Sequence, residues 1–452
     1  MIRNGLDTVL GLRSKLRYWM SARDCYGPLN LMVAISFGLG ITPFLVHRNS
    51  QGEGSLEQSW YGFLNAISRW LLLAYCYVHI ILNNESLIGY FMSNHVSQVS
   101  TRLHDIGGII VAICTFIVPL LLRQNFQRSV YTMNDVDERL ERLRCPVNFN
   151  TVQGLLILVI SLVVLLDGTL LTTCMVCLSK MDVHASWQLT FLFVSDLLVT
   201  SVTICIFCMM TRSVQRRLRC LHRVLKNLAH QWDSRSIKAV TQKQRSLQCL
   251  DSFSMYTIVT KDPAEIIQES MEIHHLICEA AATANKYFTY QLLTIISIAF
   301  LIIVFDAYYV LETLLGKSKR ESKFKTVEFV TFFSCQMILY LIAIVSIVEG
   351  SNRAIKKSEK TGGIVHSLLN KTKSAEVKEK LQQFSMQLMH LKINFTAAGL
   401  FNIDRTLYFT ISGALTTYLI ILLQFTSNSP NNGYGNGPSC CDSYNNMTNH
   451  TL

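Results

Sequence analysis

The chain has 452 residues, of which 50% are hydrophobic and 16% charged, and its formal net charge is +11 at pH 7. So much apolar sequence with so little charge excludes an ordinary set of soluble domains and indicates a protein that lies in lipid. No basic segment accompanies a nucleic-acid-binding motif, so we expect no nucleic-acid partner and assign the positive charge to loops on the cytoplasmic side of a membrane.

Eight apolar runs approach the length of about 20 residues that a transmembrane helix needs. In chain order they cover residues 29–46, 62–82, 106–122, 152–178, 187–211, 288–315, 327–349 and 406–425. The first contains Gly38, Gly40 and Pro43, which favours a re-entrant or inner-leaflet helix over a crossing. Seven crossings remain, and we predict an all-α polytopic membrane protein.

Lys and Arg residues are distributed unevenly among the connecting segments. The segments 123–151, 212–287 and 350–405 contain 5, 12 and 10 of them, whereas 83–105, 179–186 and 316–326 contain 1, 1 and 5. The positive-inside rule therefore places the first three segments and the basic N-terminus in the cytoplasm, and the C-terminus outside. Three N-x-Ser/Thr glycosylation candidates fall on the predicted outer side: Asn84, Asn446 and Asn449.

The prediction divides the chain into seven parts. They are a cytoplasmic N-terminus with the re-entrant helix (1–61), membrane helices 1–4 (62–211), a cytoplasmic helical segment (212–287), membrane helices 5 and 6 (288–349), a cytoplasmic anchor helix (350–405), the last membrane helix (406–425) and an extracellular tail (426–452). Apolar residues between Glu265 and Lys286 recur with helical spacing, so this stretch should extend the helix that follows it.

A heptad pattern precedes the last apolar run. Its apolar residues recur in steps of four and three, at Val377, Leu381, Phe384, Leu388, Leu391 and Phe395. Such a pattern is typical of an amphipathic helix packed within one chain, or of an intersubunit helix that leads directly into the last membrane helix. Both alternatives stay open, and the six residues are the candidate oligomer seam.

Four polar residues lie at similar depth in four membrane helices, about 14–17 Å below the outer boundary. They are Asp167, Asp196, Asp306 and Gln336. An ionisable group in a membrane helix costs about 2.5–3.5 kcal/mol on insertion scales, so each is a candidate for function. We predict an outward-facing pocket for a small polar or cationic ligand, with an aromatic wall of Trp187, Tyr308 and Tyr309. The alternative is that each carboxyl group merely fixes helix packing through a hydrogen bond.

Small and polar residues share one face of the last apolar run. They are Thr410, Gly413, Thr417, Ile420 or Ile421, and Gln424. On most membrane helices such a face is a packing surface. The alternative is the wall of a pore, with Gln424 and Phe425 at its outer constriction.

No catalytic arrangement is visible in the sequence, so we expect neither an enzyme nor a cofactor. The pair Cys174-x-x-Cys177 has no second pair within reach, and we predict no metal site.

Residues of the last helix resemble a family signature. Thr417-Tyr418, five apolar residues and Gln424-Phe425 resemble the TYhhhhhQF motif of insect gustatory receptors, and residues 399–407 are similar to the family's lead-in. The resemblance implies a ligand-gated channel for cations in the plasma membrane of a sensory neuron, with lipid around it. It further implies a homotetramer or a heteromer with related receptors, joined by cytoplasmic helices.

The resemblance also implies roles for residues of the last helix. Gln424 and Phe425 match the gate residues, Thr417 and Tyr418 match the inner end of the motif, and Ile421 lies between them as a pore candidate. Within the family the cue could be a chemical, warmth or light. From other classes, a G-protein-coupled receptor would require an outside N-terminus, and a secondary transporter would require internal repeats, which are not visible.

Overall fold

A computed structural model of the chain describes residues 24–48, 54–91, 95–180, 182, 184–241, 262–315 and 326–427. Its helices are α1 (Tyr26–Gly38), α2 (Trp60–Asn83), α3 (Leu87–Phe91), α4 (His95–Ala112), α5 (Val118–Leu121), α6 (Arg123–Arg142), α7 (Phe149–Lys180), α8 (Trp187–Thr241), α9 (Pro263–Leu314), α10 (Thr326–Lys371), α11 (Ala375–His390) and α12 (Thr406–Ser427). A π-helical turn, Ile113–Ile117, joins α4 to α5. Two antiparallel strand pairs join β1 (Phe44–Arg48) to β2 (Gly54–Gln58) and β3 (Thr396–Ala397) to β4 (Phe401–Asn402).

Seven helices in the described part of the chain are long and apolar enough to cross a membrane. They are α2, α4 with its continuation into α5, α7, α8, α9, α10 and α12. The prediction of a seven-helix, all-α membrane protein is confirmed. Outside the helices, the two short strand pairs are features that the apolar runs did not indicate.

The first apolar run does not form one helix. α1 has 13 residues and ends at Gly38, which makes it about 20 Å long and too short to cross. The chain then turns at Gly40, whose φ of +77° suits glycine, and continues into β1. Asn65 of α2 donates a hydrogen bond to the carbonyl of Phe37 over 2.6 Å, so the end of α1 is fixed beside the start of α2. The prediction of a continuous helix over 29–46 is therefore wrong beyond Gly38.

Three membrane helices continue far beyond the length that the bilayer requires. The 52 residues of α9 extend about 78 Å, whereas the hydrocarbon core is about 30 Å thick. Asp262 caps the start of α9 by accepting a hydrogen bond from the amide of Ala264, and Pro263 occupies the first turn. The predicted helical extension over 265–286 is present, and Ile273 and Ile277 are fully buried in it. We call α6, α11 and the extensions of α8, α9 and α10 the inner bundle.

A buried ion pair joins α6 to α8 in the inner bundle. A nitrogen of the Arg217 guanidinium lies 2.5 Å from Asp137, and its Nε donates to the carbonyl of Met133. Burial raises the pKa of Asp137, and the positive charge of Arg217 opposes that shift. Arg217 is only 3% exposed, so its charge depends on these partners rather than on water.

The residues of the heptad seam are largely buried within the chain, which favours packing within one chain over the intersubunit alternative. Val377, Leu381 and Phe384 are at most 6% exposed, and α11 packs against α9 and α10. The half-buried Leu388 and Leu391 and the buried Phe395 join the same core. These side chains pack into a groove of the chain's own inner bundle. They therefore leave little surface for a second subunit.

The connection from α11 to the last membrane helix also differs from the prediction. α11 ends at His390, and the β3–β4 hairpin separates it from α12. The hairpin turns at Ala398 and Gly399, both of which have positive φ. Asp404 then begins α12 by accepting a hydrogen bond from the amide of Thr406 over 2.8 Å.

Candidate functional site

A cavity of about 110 Å³, here called the outer cavity, lies between α2, α4, α8, α9 and α10. Three of the predicted pocket residues line it: Asp196 from α8, Asp306 from α9 and Gln336 from α10. Their common depth in the sequence therefore corresponds to a common location in space. In this conformation the cavity has room for a small ligand only, since pockets for drug-sized ligands measure about 300–1,000 Å³.

Asp196 is oriented by a tyrosine of α2. The Tyr77 hydroxyl donates a hydrogen bond to Oδ2 of Asp196 over 2.8 Å, and Tyr77 is 7% exposed. Gly108 of α4 lies against this hydroxyl, because a Cβ built at Gly108 would overlap it. Glycine at 108 thus leaves the space in which the tyrosine reaches the carboxylate.

Asp306 offers an unsatisfied oxygen to the cavity. It is 3% exposed, and its Oδ2 accepts no hydrogen bond from any residue that the structure describes. A buried carboxylate oxygen without a donor is costly, and native proteins usually supply one. The N–H or O–H group of a ligand would satisfy it. Gln336 adds both donor and acceptor groups to the same cavity.

Asp167 does not line the outer cavity, although it lies at the predicted depth. It is 5% exposed, and Ser201 of α8 donates a hydrogen bond to its Oδ1 over 3.2 Å. Its carboxyl group joins α7 to α8, which is the packing role that the sequence left as the alternative.

The predicted aromatic wall also lies elsewhere. Trp187 is 59% exposed and stacks on Tyr75, with ring centroids 6.4 Å apart. Tyr308 and Tyr309 are buried on another side of α9, where Tyr309 contacts Phe333 at a centroid distance of 5.1 Å. These three aromatics are therefore not part of the cavity wall.

Sequence reasoning missed several residues of the cavity. Apart from Tyr77, they include Tyr340 of α10, Thr200 of α8, and a polar face of α4 with Ser100, Thr101, His104 and Asp105. The sequence predicts an outer connecting segment over 83–105, whereas α4 already begins at His95. The spacing of three and four residues from Ser97 to Gly108 is the signal that could have revealed this face.

The last helix, α12, leaves most of its surface uncovered. It packs mainly on α9 through one stripe that includes Leu407, Ile411 and Leu415. Thr410, Gly413, Thr417, Ile420, Ile421 and Gln424 are all exposed. Only 6% of the apolar stretch of α12 is buried inside the chain, which is the lowest share among the seven membrane-spanning helices. The polar face is thus not a packing surface within this chain.

The motif residues of α12 lie on two faces. Tyr418 is 52% exposed and contacts Phe300 of α9 edge to face, with ring centroids 6.0 Å apart. Gln424 lies on the exposed polar face, in the last turns of the helix. Phe425 belongs to the same helix, and its side chain lies outside the described residues.

One ion pair connects the start of α12 to the middle of α10, and a second lies beside it within α10. The guanidinium of Arg405 contacts both carboxylate oxygens of Glu349, over 2.8 and 3.1 Å, and Arg353 contacts Glu349 over 3.2 Å. Glu349 thereby joins the start of α12 to α10.

Other predicted sites have simple outcomes. Asn84 is exposed at the end of α2, and Asn446 and Asn449 lie outside the described residues. Cys174 and Cys177 are buried, and no cluster that could hold a metal ion is found within the described residues.

Comparison with known proteins gives consistent matches over nearly the whole chain. The family model described as 7tm chemosensory receptor matches residues 29–429. Gustatory receptor 28b of Drosophila melanogaster is 59% identical over 443 residues, which are 98% of this chain and 94% of that protein. Gustatory receptor 28a of the same organism is 32% identical over 423 residues, with 87% and 92% covered.

A solved structure shows the same fold. The insect olfactory receptor OR5 from Machilis hrabei has a TM-score of 0.60 at 12% identity, with 91% of this chain and 99% of that chain covered. The structure of that receptor in complex with eugenol has a TM-score of 0.52 at 14% identity, with the same shares of both chains covered.

Proposed function

Because the chain belongs to the insect gustatory receptor family of 7tm chemosensory receptors, we propose that it is a subunit of a ligand-gated, non-selective cation channel. In this proposal a small chemical cue binds in the outer cavity. The resulting movement opens a pore that is lined by α12 from four subunits, in a homotetramer or in a heteromer with related receptors.

The observation that carries the proposal is the uncovered polar face of α12. Hydrocarbon offers no hydrogen-bond partners to a side-chain amide such as that of Gln424. In a single chain the polar face of α12 would therefore contact lipid at a cost in free energy. Thr417 bonds the carbonyl of Gly413 over 3.0 Å, which satisfies its hydroxyl only as a donor. Around a symmetry axis the same faces would meet water and permeating ions.

The outer cavity and α12 are connected through α9. Asp306 lines the cavity, and Phe300 lies six residues earlier on the same helix, a distance of about 9 Å. Phe300 contacts Tyr418, a residue of the motif on α12. A ligand that shifts α9 at Asp306 would therefore move a contact of the proposed pore helix.

The ligand class follows from the groups that face the cavity. Carboxyl groups of Asp196 and Asp306 and the amide of Gln336 favour a small molecule with N–H, O–H or cationic groups. The structure of the Machilis receptor with eugenol shows that a protein of this fold takes a small molecule. The excess of Lys and Arg in the N-terminal segment favours an inside N-terminus, which argues against the G-protein-coupled receptor alternative.

The proposed orientation places the inner bundle in the cytoplasm and the chain ends on opposite sides of the membrane. It depends on the excess of Lys and Arg in the segments of the inner bundle. Glycosylation of Asn446 and Asn449, seen as a loss of mass after glycosidase treatment, is the expected result. Protease protection of an unglycosylated tail in intact cells would contradict it.

Whole-cell current recording from cells that express this chain alone tests the proposal. The panel comprises sugars, alkaloids, nucleosides and amines, together with a temperature ramp and light. We expect an inward current with little preference among monovalent cations. A cell-surface-labelled chain that signals through G proteins without any current would contradict a channel.

A matched pair of variants links such a current to α12. Gly413 has open space around it in the chain, so Gly413→Trp should fold normally and obstruct a narrow pore. Ser412 is equally exposed, about 100° away around the helix, and Ser412→Trp is the control. We expect Gly413→Trp to abolish the current at normal surface expression while Ser412→Trp retains it.

A further inference from the structure

A second, larger cavity lies at the opposite end of the membrane region. This inner groove has a volume of about 410 Å³ and runs between α7, α8 and α10, where the membrane helices enter the inner bundle. Its lining is mostly apolar, and no residue of it lines the outer cavity. It is therefore a separate site that the proposed ligand binding does not use.

The inner groove has the length of one bilayer leaflet. Its α7 wall consists of residues at helical spacing: Val152, Leu155, Leu156, Val159, Leu162, Val163 and Leu166. From Val152 to Leu166 this wall is about 21 Å long, which matches one leaflet of about 20–22 Å when its head-group region is included with about 15 Å of hydrocarbon. Leu162 is 50% exposed, so the groove opens sideways to lipid. An extended hydrocarbon chain fits this shape and can enter from the bilayer.

Four arginines surround the inner end of the groove: Arg212, Arg216, Arg217 and Arg353. Two of them are paired, Arg217 with Asp137 and Arg353 with Glu349. Arg212 and Arg216 have no acidic partner among the described residues. The mouth of an aliphatic groove thus carries two guanidinium groups without counter-charges.

We propose that the inner groove binds an anionic phospholipid. The lipid belongs to the bilayer leaflet on the side of the four arginines. Its phosphate contacts Arg212 and Arg216, and one acyl chain lies along α7. A guanidinium group matches phosphate oxygens in pairs, and basic pockets between membrane helices recognise anionic head groups. A neutral lipid would leave both arginines without an anion, and a water-soluble anion would leave the aliphatic wall empty.

Lipid titration of the purified full-length chain, followed by native mass spectrometry, tests this site. The probes are phosphatidylserine, phosphatidylinositol bisphosphate and phosphatidylcholine with identical acyl chains, and glycerophosphoserine without acyl chains. The variant Arg212→Gln with Arg216→Gln removes the two unpaired charges. Its control, Arg219→Gln with Lys226→Gln, removes the same charge from exposed residues of α8 outside the groove.

We expect at least one of the two anionic phospholipids to bind in preference to phosphatidylcholine. Each arginine should contribute about fivefold in Kd, so the double variant should weaken binding about 25-fold, and the control pair should change it little. A second variant, Val159→Trp, fills the groove and keeps the arginines. It should also weaken binding of the phospholipid.

Several results would overturn the proposal. Equal binding of phosphatidylcholine would exclude recognition of the head group, and equal binding of glycerophosphoserine would exclude the acyl-chain groove. An equal loss in both double variants would indicate general surface charge. Absence of any bound lipid would show that another occupant, such as a segment of the chain or a second subunit, covers the groove.

Discussion

The charge of Asp306 should determine ligand sensitivity, whereas that of Asp167 should not. Both residues are buried aspartates at similar predicted depth, and each has an Oδ2 without a hydrogen-bond partner among the described residues. Only Asp306 lines the outer cavity. The change Asp→Asn preserves side-chain volume and removes the charge, so the two variants form a matched pair in which only Asp306 faces the outer cavity.

The magnitude follows from the contact that a ligand would make with Asp306. A hydrogen bond to a charged group contributes about 1.5–3 kcal/mol, and each 1.4 kcal/mol corresponds to about a factor of ten. Asp306→Asn should therefore raise the half-maximal ligand concentration about 10- to 150-fold. Asp167→Asn removes the charge that Ser201 contacts, and it should leave the half-maximal concentration within about threefold of its original value.

Dose–response curves from whole-cell recordings measure the effect. They use whichever compound activates the unmodified channel, and surface labelling of each variant corrects for expression. Equal shifts of the half-maximal concentration in both variants would mean that the two charges act by long-range electrostatics rather than by direct contact with the ligand. A normal curve for Asp306→Asn together with a shifted curve for Asp167→Asn would refute the placement of the ligand in the outer cavity.

Two further predictions concern the wall of the cavity and the heptad seam. Gly108→Ala places a methyl group where the Tyr77 hydroxyl lies, so it should disturb the bond to Asp196 and raise the half-maximal ligand concentration at least about tenfold, measured as above. Unchanged responses would show that this bond does not shape the site. Leu381→Asp buries a charge in a fully enclosed position and should abolish folded protein on size-exclusion chromatography, whereas Met389→Asp, at a side chain 72% exposed, should preserve the elution profile of the unmodified protein. A normally folded Leu381→Asp protein would contradict the packing of α11.

The seven membrane helices could be predicted because each is a long apolar run in a chain with little charge. The extension of α9 was also predictable, since apolar residues from Glu265 to Lys286 keep the helical period. The β3–β4 pair was not, because these strands have two residues each and provide no periodic signal. The heptad of α11 could not separate packing within a chain from packing between chains, because both bury the same stripe.

The candidate site was predictable in depth but not in direction around each helix. Counting residues gives the height of Asp167 and Asp306 in the membrane, yet it does not tell which neighbouring helix each one faces. Tyr308 lies about 200° around the helix from Asp306, so the two residues could not share one wall. Tyr77 and Tyr340 gave no signal at all, because an aromatic residue in an apolar span is equally typical of packing.

We propose α12 as the gated pore wall, and thiol accessibility at two adjacent residues tests this most directly. Thr416 and Thr417 are both exposed in one chain and point about 100° apart, so Thr417→Cys probes the polar face and Thr416→Cys is its control. We expect a charged, membrane-impermeant thiol reagent to modify Thr417→Cys quickly when ligand is present and slowly when it is absent, with a change in current, and to leave Thr416→Cys unmodified. Equal modification rates of Thr417→Cys with and without ligand, or faster modification of Thr416→Cys, would contradict a pore along this face.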